Sequence, residues 1–367
     1  MKPCAVGRRW TARGRRPRLR PDLLICARLA SRTAQGTPPT KRRSETSSDN
    51  LLDSVALPLA FNAELFIQLL VNGITLGSLY ALIALGYSMV YGILKLLNFA
   101  HGDVYMIGAF AGYGVLTLLG GPLSPNIAIA PLIALMFLAA MAGSGLLGVV
   151  IERFAYRPLR DAPRIAPLIS ALGVSFFLQN SALLLFGAQF RSYDSFVLGS
   201  KNPEFFEPGP LTDPLFVVKN VNVQLIQVIV LSTTVGLMVA LTVLVAKTQI
   251  GKAMRATSYD REAASMMGID TDRVIATTFF IGSLLAGAAG VMFGLLFSQV
   301  FHFMGFLAGL KGFTAAVVGG IGSIPGAMLG GLLVGLAESF AGGYLGGRWS
   351  DLTVFGILIL VLLVRPS

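Results

Sequence analysis

Charge and cysteine are both scarce in this sequence, and each shortage excludes a class of protein. Only 13% of the 367 residues are charged, whereas 54% are hydrophobic and the mean hydropathy is +0.72. A soluble domain carries about twice that charged fraction. Both cysteines, Cys4 and Cys26, lie near the N-terminus, so the rest of the chain offers no disulfide, thiol or zinc chemistry.

Charge-free runs recur along the chain at the length of a bilayer. A helix needs about 20 apolar residues to cross the hydrocarbon core, and almost every run is that long. A soluble protein would need one fully buried helix after another to produce the same pattern. We therefore predict an all-α, polytopic transmembrane bundle of about eight spans. The uncharged runs cover 65–94, 104–151, 165–190, 223–246, 274–310, 312–337 and 352–364. They predict spans near 66–92, 103–119, 127–151, 166–187, 223–246, 274–298 and 351–365, with one or two more in 306–340.

The basic residues are concentrated at the N-terminus. The first 50 residues hold 13 Lys or Arg against 3 acids, while the remaining 317 hold 16 against 15. Residues 1–60 lack a sustained apolar period, so we expect a disordered extension, with residues 61–367 forming the transmembrane domain. Three interpretations of the extension stay open: an organellar transit peptide, a basic arm on anionic lipid, or a start codon assigned upstream of a true start near Leu51–Leu59.

Arginine and lysine density in the loops predicts the orientation. Loop 152–164 holds four Arg and loop 247–273 holds five Lys or Arg, so both are predicted to be cytoplasmic. Loop 188–222 holds only three, so it is predicted to be external. These assignments alternate correctly across the intervening spans. Three spans precede loop 152–164, which would place the basic N-terminal extension outside, against the rule. Either the extension is an artefact or residues 66–102 cross differently, and both interpretations stay open.

One segment of loop 247–273 carries helix signals although it is too polar to span. Thr257 and Asp260 form a Thr-x-x-Asp start signal, and Gly268 supplies a stop. The pattern predicts a ten-residue helix over 258–267.

Small and adaptable side chains suggest a use for this helix. Ala263 and Ala264 would give it a face that approaches another surface closely, and Met266 and Met267 would add adaptable apolar contact. We interpret it as a docking element for a cytoplasmic partner. A solvated linker helix is the alternative.

The run Asn98-Phe99-Ala100-His101-Gly102-Asp103 interrupts apolar sequence with polar groups. Such groups are costly at membrane depth unless they face protein or a water cavity. Asn98 and His101 are therefore candidates for a translocation path or gate. The alternative is a turn at the membrane surface, with Gly102 as the break and Asp103 capping the next helix.

Other polar positions and the histidines complete the candidate site. Gln179 and Asn180 fall in the middle of a predicted span, as do Ser232, Thr233 and Thr234, and each group could line the path or bond a neighbouring helix. His302 is the only other histidine, so no metal site is predicted.

Glycine spacing predicts close helix packing in the last third of the chain. Small residues recur every four positions in two stripes, which lets helices pack backbone to backbone in lipid. Segment 306–340 has too many Gly, together with Pro325, for one regular helix, so we predict a discontinuous or re-entrant element. A kinked span packed for stability is the alternative. The stripes are Gly282, Ala286, Gly290 and Gly294, and then Gly322, Gly326 and Gly330.

Several ordered motifs resemble those of one transporter family. Glu262-Ala263-Ala264, followed by Gly268, is similar to the EAA loop of permeases in ATP-binding-cassette (ABC) importers. The runs Asn72–Gly92 and Leu97–Asp103 resemble the opening of the branched-chain amino-acid permease subunits, and Gly319–Ala327 resembles their closing signature. The likeness extends from about Phe66 to Pro366 and is greatest to the first permease subunit type. The extension has no counterpart there, and we expect relatives to run on for a few residues past Ser367.

The resemblance implies a function and a set of partners. The expected partners are two ATP-binding subunits, a second permease subunit and an extracytoplasmic substrate-binding protein, in a bacterial inner membrane. Glu262, Ala263, Ala264 and Gly268 would couple this chain to an ATP-binding subunit. The sequence contains no Gly-x-x-x-x-Gly-Lys-Ser/Thr, so the chain is not expected to be an enzyme or to bind ATP itself. An amino acid and the lipid bilayer are the other expected partners, and neither a cofactor nor nucleic acid is expected.

Three alternatives to amino-acid import stay open. A permease of the same family could carry urea or short amides. An ion-driven transporter would need buried acids within spans, for which Glu338 is the arguable candidate. An intramembrane enzyme would have to use His101 and Asp103, and the sequence suggests no convincing second catalytic group.

Overall fold

The protein is described here by a computed structural model, whose described residues are 63–119, 129–160, 162–163, 165–193, 214–218 and 221–364. The prediction for residues 1–60 lies outside them. Within these ranges the chain is a bundle of helices, so the all-α class is confirmed. The helices are α1 (Ala63–Leu94), α2 (His101–Leu119), α3 (Ile129–Ile151), α4 (Ile165–Phe186), α5 (Leu225–Lys247), α6 (Gln249–Tyr259), α7 (Arg261–Met266), α8 (Thr271–Phe297), α9 (Met304–Gly319), α10 (Ile324–Tyr344) and α11 (Gly347–Val364).

Eight of the described helices are long and apolar enough to cross a membrane, which confirms the predicted number of spans. Only α6, α7 and α9 fall short of that length. The third span continues past α3 through a π-helical turn, Glu152–Tyr156, and a 3₁₀ turn, Arg157–Leu159. Pro158 lies in the 3₁₀ turn, where its missing N–H interrupts the hydrogen-bond ladder of the preceding helix.

The segment 306–340 is discontinuous, as predicted. Helix α9 ends at Gly319, and Gly320 and Gly322 follow with φ of +89° and +91°, which only glycine adopts without strain. Ser323 then caps α10 by accepting a 3.2 Å bond from the N–H of Gly326. Because Gly322 lies in the break, the expected helical stripe through Gly322, Gly326 and Gly330 is wrong at its first member.

Short strands in the polar connections were not predicted. Strand β1 (Arg191–Ser192) pairs antiparallel with β4 (Gln299–Val300), and β2 (Pro214–Val218) forms an antiparallel pair with β3 (Val221–Gln224). Pairs this short leave no alternating hydrophobic pattern, so the sequence carries little signal for them.

The core of the bundle is built around α1, α2, α8 and α10. Helix α1 is buried almost continuously from Gly77 to Val90. Gly335 of α10 lies against the backbone of Gly77, and Gly331 lies against that of Ala81. Without side chains between them, the backbones of α1 and α10 approach closely, as expected for helices packed in lipid.

The two ends of the bundle separate the predicted cytoplasmic loops from the predicted external one. Arg157, after α3, binds the carboxylate of Asp272 at 2.5 Å, so loops 152–164 and 247–273 meet at one end. At the other end the Gln68 side chain of α1 bonds the backbone of Asn222 in both directions, at 3.2 and 2.9 Å. The start of α1 therefore lies beside the predicted external loop, which agrees with an odd number of spans before loop 152–164.

Candidate coupling surface and translocation site

The segment between α5 and α8 folds as two helices, which corrects the prediction of one helix over 258–267. Asp260 is extended, with φ −149°, and separates α6 from α7. Its carboxylate accepts from the N–H groups of Glu262 at 2.9 Å and Ala263 at 3.0 Å, so Asp260 is the cap. Thr257, the expected cap, is buried inside α6, where its hydroxyl donates to the Ala253 carbonyl at 2.9 Å.

Gly268 follows the end of α7. It has a φ of +84°, and its N–H donates to the Ser265 carbonyl at 3.0 Å. The N–H of Ile269 donates to Ala264 at 3.1 Å. These bonds occupy carbonyls that the helix end would leave unpaired, and the left-handed turn directs the chain towards α8.

The two alanines of α7 face different ways, one into the protein and one outward. Ala264 is only 5% exposed and packs inside this chain, whereas Ala263 and Glu262 are exposed. Tyr259, Met266 and Met267 are 95%, 84% and 83% exposed. We call Tyr259, Glu262, Ala263, Met266 and Met267 the coupling surface. Large apolar side chains exposed next to charged groups are typical of interaction surfaces.

An ion-pair network holds the base of this segment. Asp272, in the first turn of α8, binds Arg157 and Arg160, and Arg261 of α7 lies 3.9 Å from it. Arg160 also binds Glu152, and both of these side chains are buried. From the sequence alone, these arginines predict only which side of the membrane their loops lie on. Since Asp272 lies far along the chain from Arg157 and Arg160, only the fold brings them together.

A second polar cluster lies inside the bundle around the start of α2. The Asn98 side chain accepts from the Tyr156 hydroxyl at 3.0 Å. His101 is buried, with its ring edge against Tyr87 and ring centroids 4.8 Å apart. Its Nε2 has no hydrogen-bond partner within the described chain. The two candidates are therefore buried in the protein and do not lie in an exposed surface turn.

Gly102 and Asp103 do not play the parts expected of a surface turn. Gly102 lies in the first turn of α2, tightly against Gly305 and Gly309 of α9, so it permits a helix contact instead of breaking the chain. The Asp103 carboxylate accepts from Ser175 and Gln179 of α4. It links two helices instead of capping one.

Asn180 does not join the cluster, although its neighbour Gln179 does. The Gln179 amide donates to Asp103 at 3.0 Å and to Ser175 at 3.1 Å. Asn180 is exposed on the outer face of α4, and its amide donates back to the Phe176 carbonyl at 2.7 Å. Adjacent residues of a helix point about 100° apart, so only one of them can face the α2 contact.

The Ser232–Thr234 cluster also divides between surfaces. Ser232 is exposed and Thr234 is buried, where its hydroxyl lies 3.5 Å from the Met292 sulfur. Both Ser232 and Thr233 donate to the carbonyl of Ile229 in their own helix.

The small residues of α8 lie at helix contacts. A side chain at Gly290 would meet the backbones of Tyr105 and Ala109 in α2, and one at Gly282 would come within 3.4 Å of Gly86 in α1. In the same way Gly330 lies against the backbone of α9 at Ala315 and Gly319.

Gly326 occupies the tightest of these contacts. An added side chain there would meet the Gly319 carbonyl at the end of α9. The α9–α10 contact thus depends on the paired glycines 319 and 326.

Glu338, the acid that an ion-driven mechanism would need, is already paired. It binds Lys311 of α9 at 2.7 Å, and Lys311 also binds Asp351 of α11 at 2.6 Å. A paired charge inside a membrane bundle costs far less than an isolated one.

These features define a class: a multi-pass membrane protein with a tightly packed helical core, buried polar groups, and exposed apolar side chains beside charged loops. Residues 69–363 match the family described as the branched-chain amino acid transport system permease component. The chain belongs to that family.

Relatives match over nearly their whole length. The high-affinity branched-chain amino acid transport system permease protein BraD of Pseudomonas aeruginosa is 44% identical over 306 residues, 82% of this chain and 94% of that protein. The corresponding permease protein LivH of Escherichia coli K12 is 42% identical over 311 residues, with the same coverage. A probable LivH of Methanocaldococcus jannaschii is 28% identical over 308 residues, 82% of this chain and 90% of that protein. No solved structure matches the chain.

Proposed function

We propose that this chain is a transmembrane permease subunit of an ABC importer for branched-chain or related amino acids, working in a bacterial inner membrane. The observation that carries the proposal is the family match over residues 69–363. Relatives named as high-affinity branched-chain amino acid permeases support it along the same stretch.

The proposed complex contains four kinds of subunit. This chain works with a second permease, two ATP-binding subunits and an extracytoplasmic binding protein. The sequence has no phosphate-binding Gly-x-x-x-x-Gly-Lys-Ser/Thr, so ATP must be bound and hydrolysed by separate chains. A surface that receives the motion of those chains is therefore required.

The coupling surface is our candidate for that role. Met266, Met267 and Tyr259 would enter a cleft on an ATP-binding subunit, with Ala263 permitting close approach and Glu262 at the rim. Ala264 and Gly268 would act from within, Ala264 by packing α7 on its own chain and Gly268 by ending it. Movement of α7 would reach the bundle through Asp272 and its arginines, which connect α8 with the end of the third span.

The buried cluster at the start of α2 is our candidate for part of the translocation path or gate. Asn98, His101 and Gln179 contribute buried polar groups there. The Nε2 of His101 has no hydrogen-bond partner among the described residues, which is consistent with a group that changes partners during transport. Asn180, which lies on the outer face, is not included.

A permease for urea or short amides is the second candidate within the same family. The two differ in substrate only, which uptake distinguishes. Proteoliposomes with the assembled complex should accumulate labelled L-leucine when ATP is supplied, and excess urea should not compete. Accumulation of labelled urea with no leucine uptake would favour the alternative.

Substitutions at the exposed residue Met266 test whether the coupling surface binds an ATP-binding subunit. In the reconstituted complex, Met266→Asp should reduce the ATPase activity stimulated by loaded binding protein about 10-fold or more, since a charge would enter an apolar contact. Met266→Leu should retain it, because the side chain stays apolar. Co-purification of the ATP-binding subunits in mild detergent reports the docking itself. Full stimulation with Met266→Asp would exclude this surface.

A further inference from the structure

A narrow cavity lies between the α1–α2 region, α4 and α9. Its volume is about 20 Å³, enough for one group the size of a water molecule. Four of its lining residues are aromatic, contributed by α1, the α1–α2 turn and α9, and Ser175 supplies a hydroxyl from α4. The aromatic residues are Tyr87, Phe99, Phe306 and Phe313. We call this the aromatic pocket.

A buried carboxylate stands behind the pocket. The Ser175 hydroxyl donates to Asp103, and the Gln179 amide supports both groups, at 3.0 Å to Asp103 and 3.1 Å to Ser175. Asp103 is 1% exposed, and no Lys, Arg or His of the described chain forms an ion pair with it. A carboxylate at membrane depth without a cation is costly, so the pocket beside it attracts positive charge.

The pocket thus combines the two features that select a small cation. Aromatic faces attract cations through their quadrupoles, and a hydroxyl bonded to a carboxylate keeps a lone pair for a further donor. We propose that the aromatic pocket binds a primary ammonium group, and specifically the α-ammonium of the amino acid during transport. The second part rests on the proposed function. The rest of the substrate would lie towards the pocket opening, beside the partly exposed Phe306 and Leu310.

Thiol chemistry can test the cation preference without relying on transport. Leu310, which lines the pocket, is replaced by cysteine in a chain with Cys4→Ser and Cys26→Ser, so that it carries the only thiol. The rate of modification by aminoethyl methanethiosulfonate, which carries a primary ammonium, is compared with the rate for neutral methyl methanethiosulfonate. Each rate is divided by that of the same reagent with free cysteine. We expect a preference of about 10-fold for the ammonium reagent.

Asp103→Asn should abolish that preference while keeping the acceptor oxygen that receives Ser175 or Gln179. Asp351→Asn, which removes an acid bonded to Lys311 at a different site, should leave the preference unchanged. If Asp103→Asn does not fold, Ser175→Ala tests the pocket in another way: it removes the hydroxyl that would accept from the ammonium, keeps the Asp103 charge, and should lower the preference. An unchanged preference in Ser175→Ala would contradict the proposal. An equal preference with and without the Asp103 charge would overturn the proposal.

Protection of the thiol from modification shows which ligand occupies the aromatic pocket. L-Leucine should slow modification of the Leu310→Cys thiol, whereas the 2-oxo acid with the same side chain and sodium chloride should not. Equal protection by sodium would indicate a metal-cation site, and no protection by leucine would remove the substrate assignment. ATP-dependent leucine uptake by the unmodified complex is measured in parallel, so a failure of the proposed function is recognised separately.

Discussion

Single glycines determine how closely the central helices approach. At Gly290 an added side chain would meet the backbones of Tyr105 and Ala109, whereas at Gly236 in α5 it would meet open space. A backbone cannot rotate away as a side chain can, so the two positions should respond differently to the same substitution.

Gly290→Leu should therefore destabilise the protein by about 3 kcal/mol or lower the yield of folded protein, since overpacking a core costs this much or more. Gly236→Leu should have little effect, because it places the same side chain on an exposed helix face. The measurement is the fraction of monodisperse protein in detergent after heating. Equal loss in both variants would mean that α8 does not pack on α2 in this way.

At the scale of elements, α7 depends on one cap. Asp260 accepts from two N–H groups at its start, while Thr257 is buried in the preceding helix. Loss of an aspartate cap costs about 1 kcal/mol, a large share of the stability of a six-residue helix. The coupling surface should therefore lose its order before the bundle does.

Asp260→Ala should reduce binding-protein-stimulated ATPase activity several-fold at unchanged membrane yield, and Asp260→Asn should restore most of it because asparagine also caps. Thr257→Val, close in size to the native side chain, should leave the start of α7 unaffected. ATPase activity normalised to assembled complex reports the outcome. Sensitivity to Thr257→Val combined with tolerance of Asp260→Ala would favour the original prediction of a helix beginning at 258.

At the scale of the whole molecule, the loops sort to opposite ends of the bundle. The Asp272 network gathers loops 152–164 and 247–273, and the Gln68–Asn222 bonds place the start of α1 at the other end. Loop charge then predicts which end is cytoplasmic.

Single cysteines in a chain without Cys4 and Cys26 should show this sidedness. Phe190→Cys, exposed after α4, should react with a membrane-impermeant maleimide in intact cells. Met266→Cys should react only after the membrane is opened. The reverse pattern would invert the orientation and place the coupling surface outside, where no ATP-binding subunit could reach it.

Composition and periodicity were sufficient for the membrane class, the spans and the break near Gly320. These properties follow from local chemistry, because an uncharged run of sufficient length must leave water and glycines at positive φ cannot continue a helix. Family motifs added the permease assignment. The start of α7 was misplaced because Thr257 and Asp260 are both good caps, and only packing of Thr257 against its own chain decides between them.

The tertiary structure alone decided which polar side chains meet. Gln179 and Asn180 are equivalent by sequence position, yet one bonds Asp103 and the other faces outward. Ala263 and Ala264 likewise divide between the coupling surface and the interior. The hydrogen bond between Ser175 and Asp103 connects residues that are distant in the chain, and so does the ion pair between Arg160 and Asp272. Such contacts depend on how helices are rotated and paired, which local sequence does not encode.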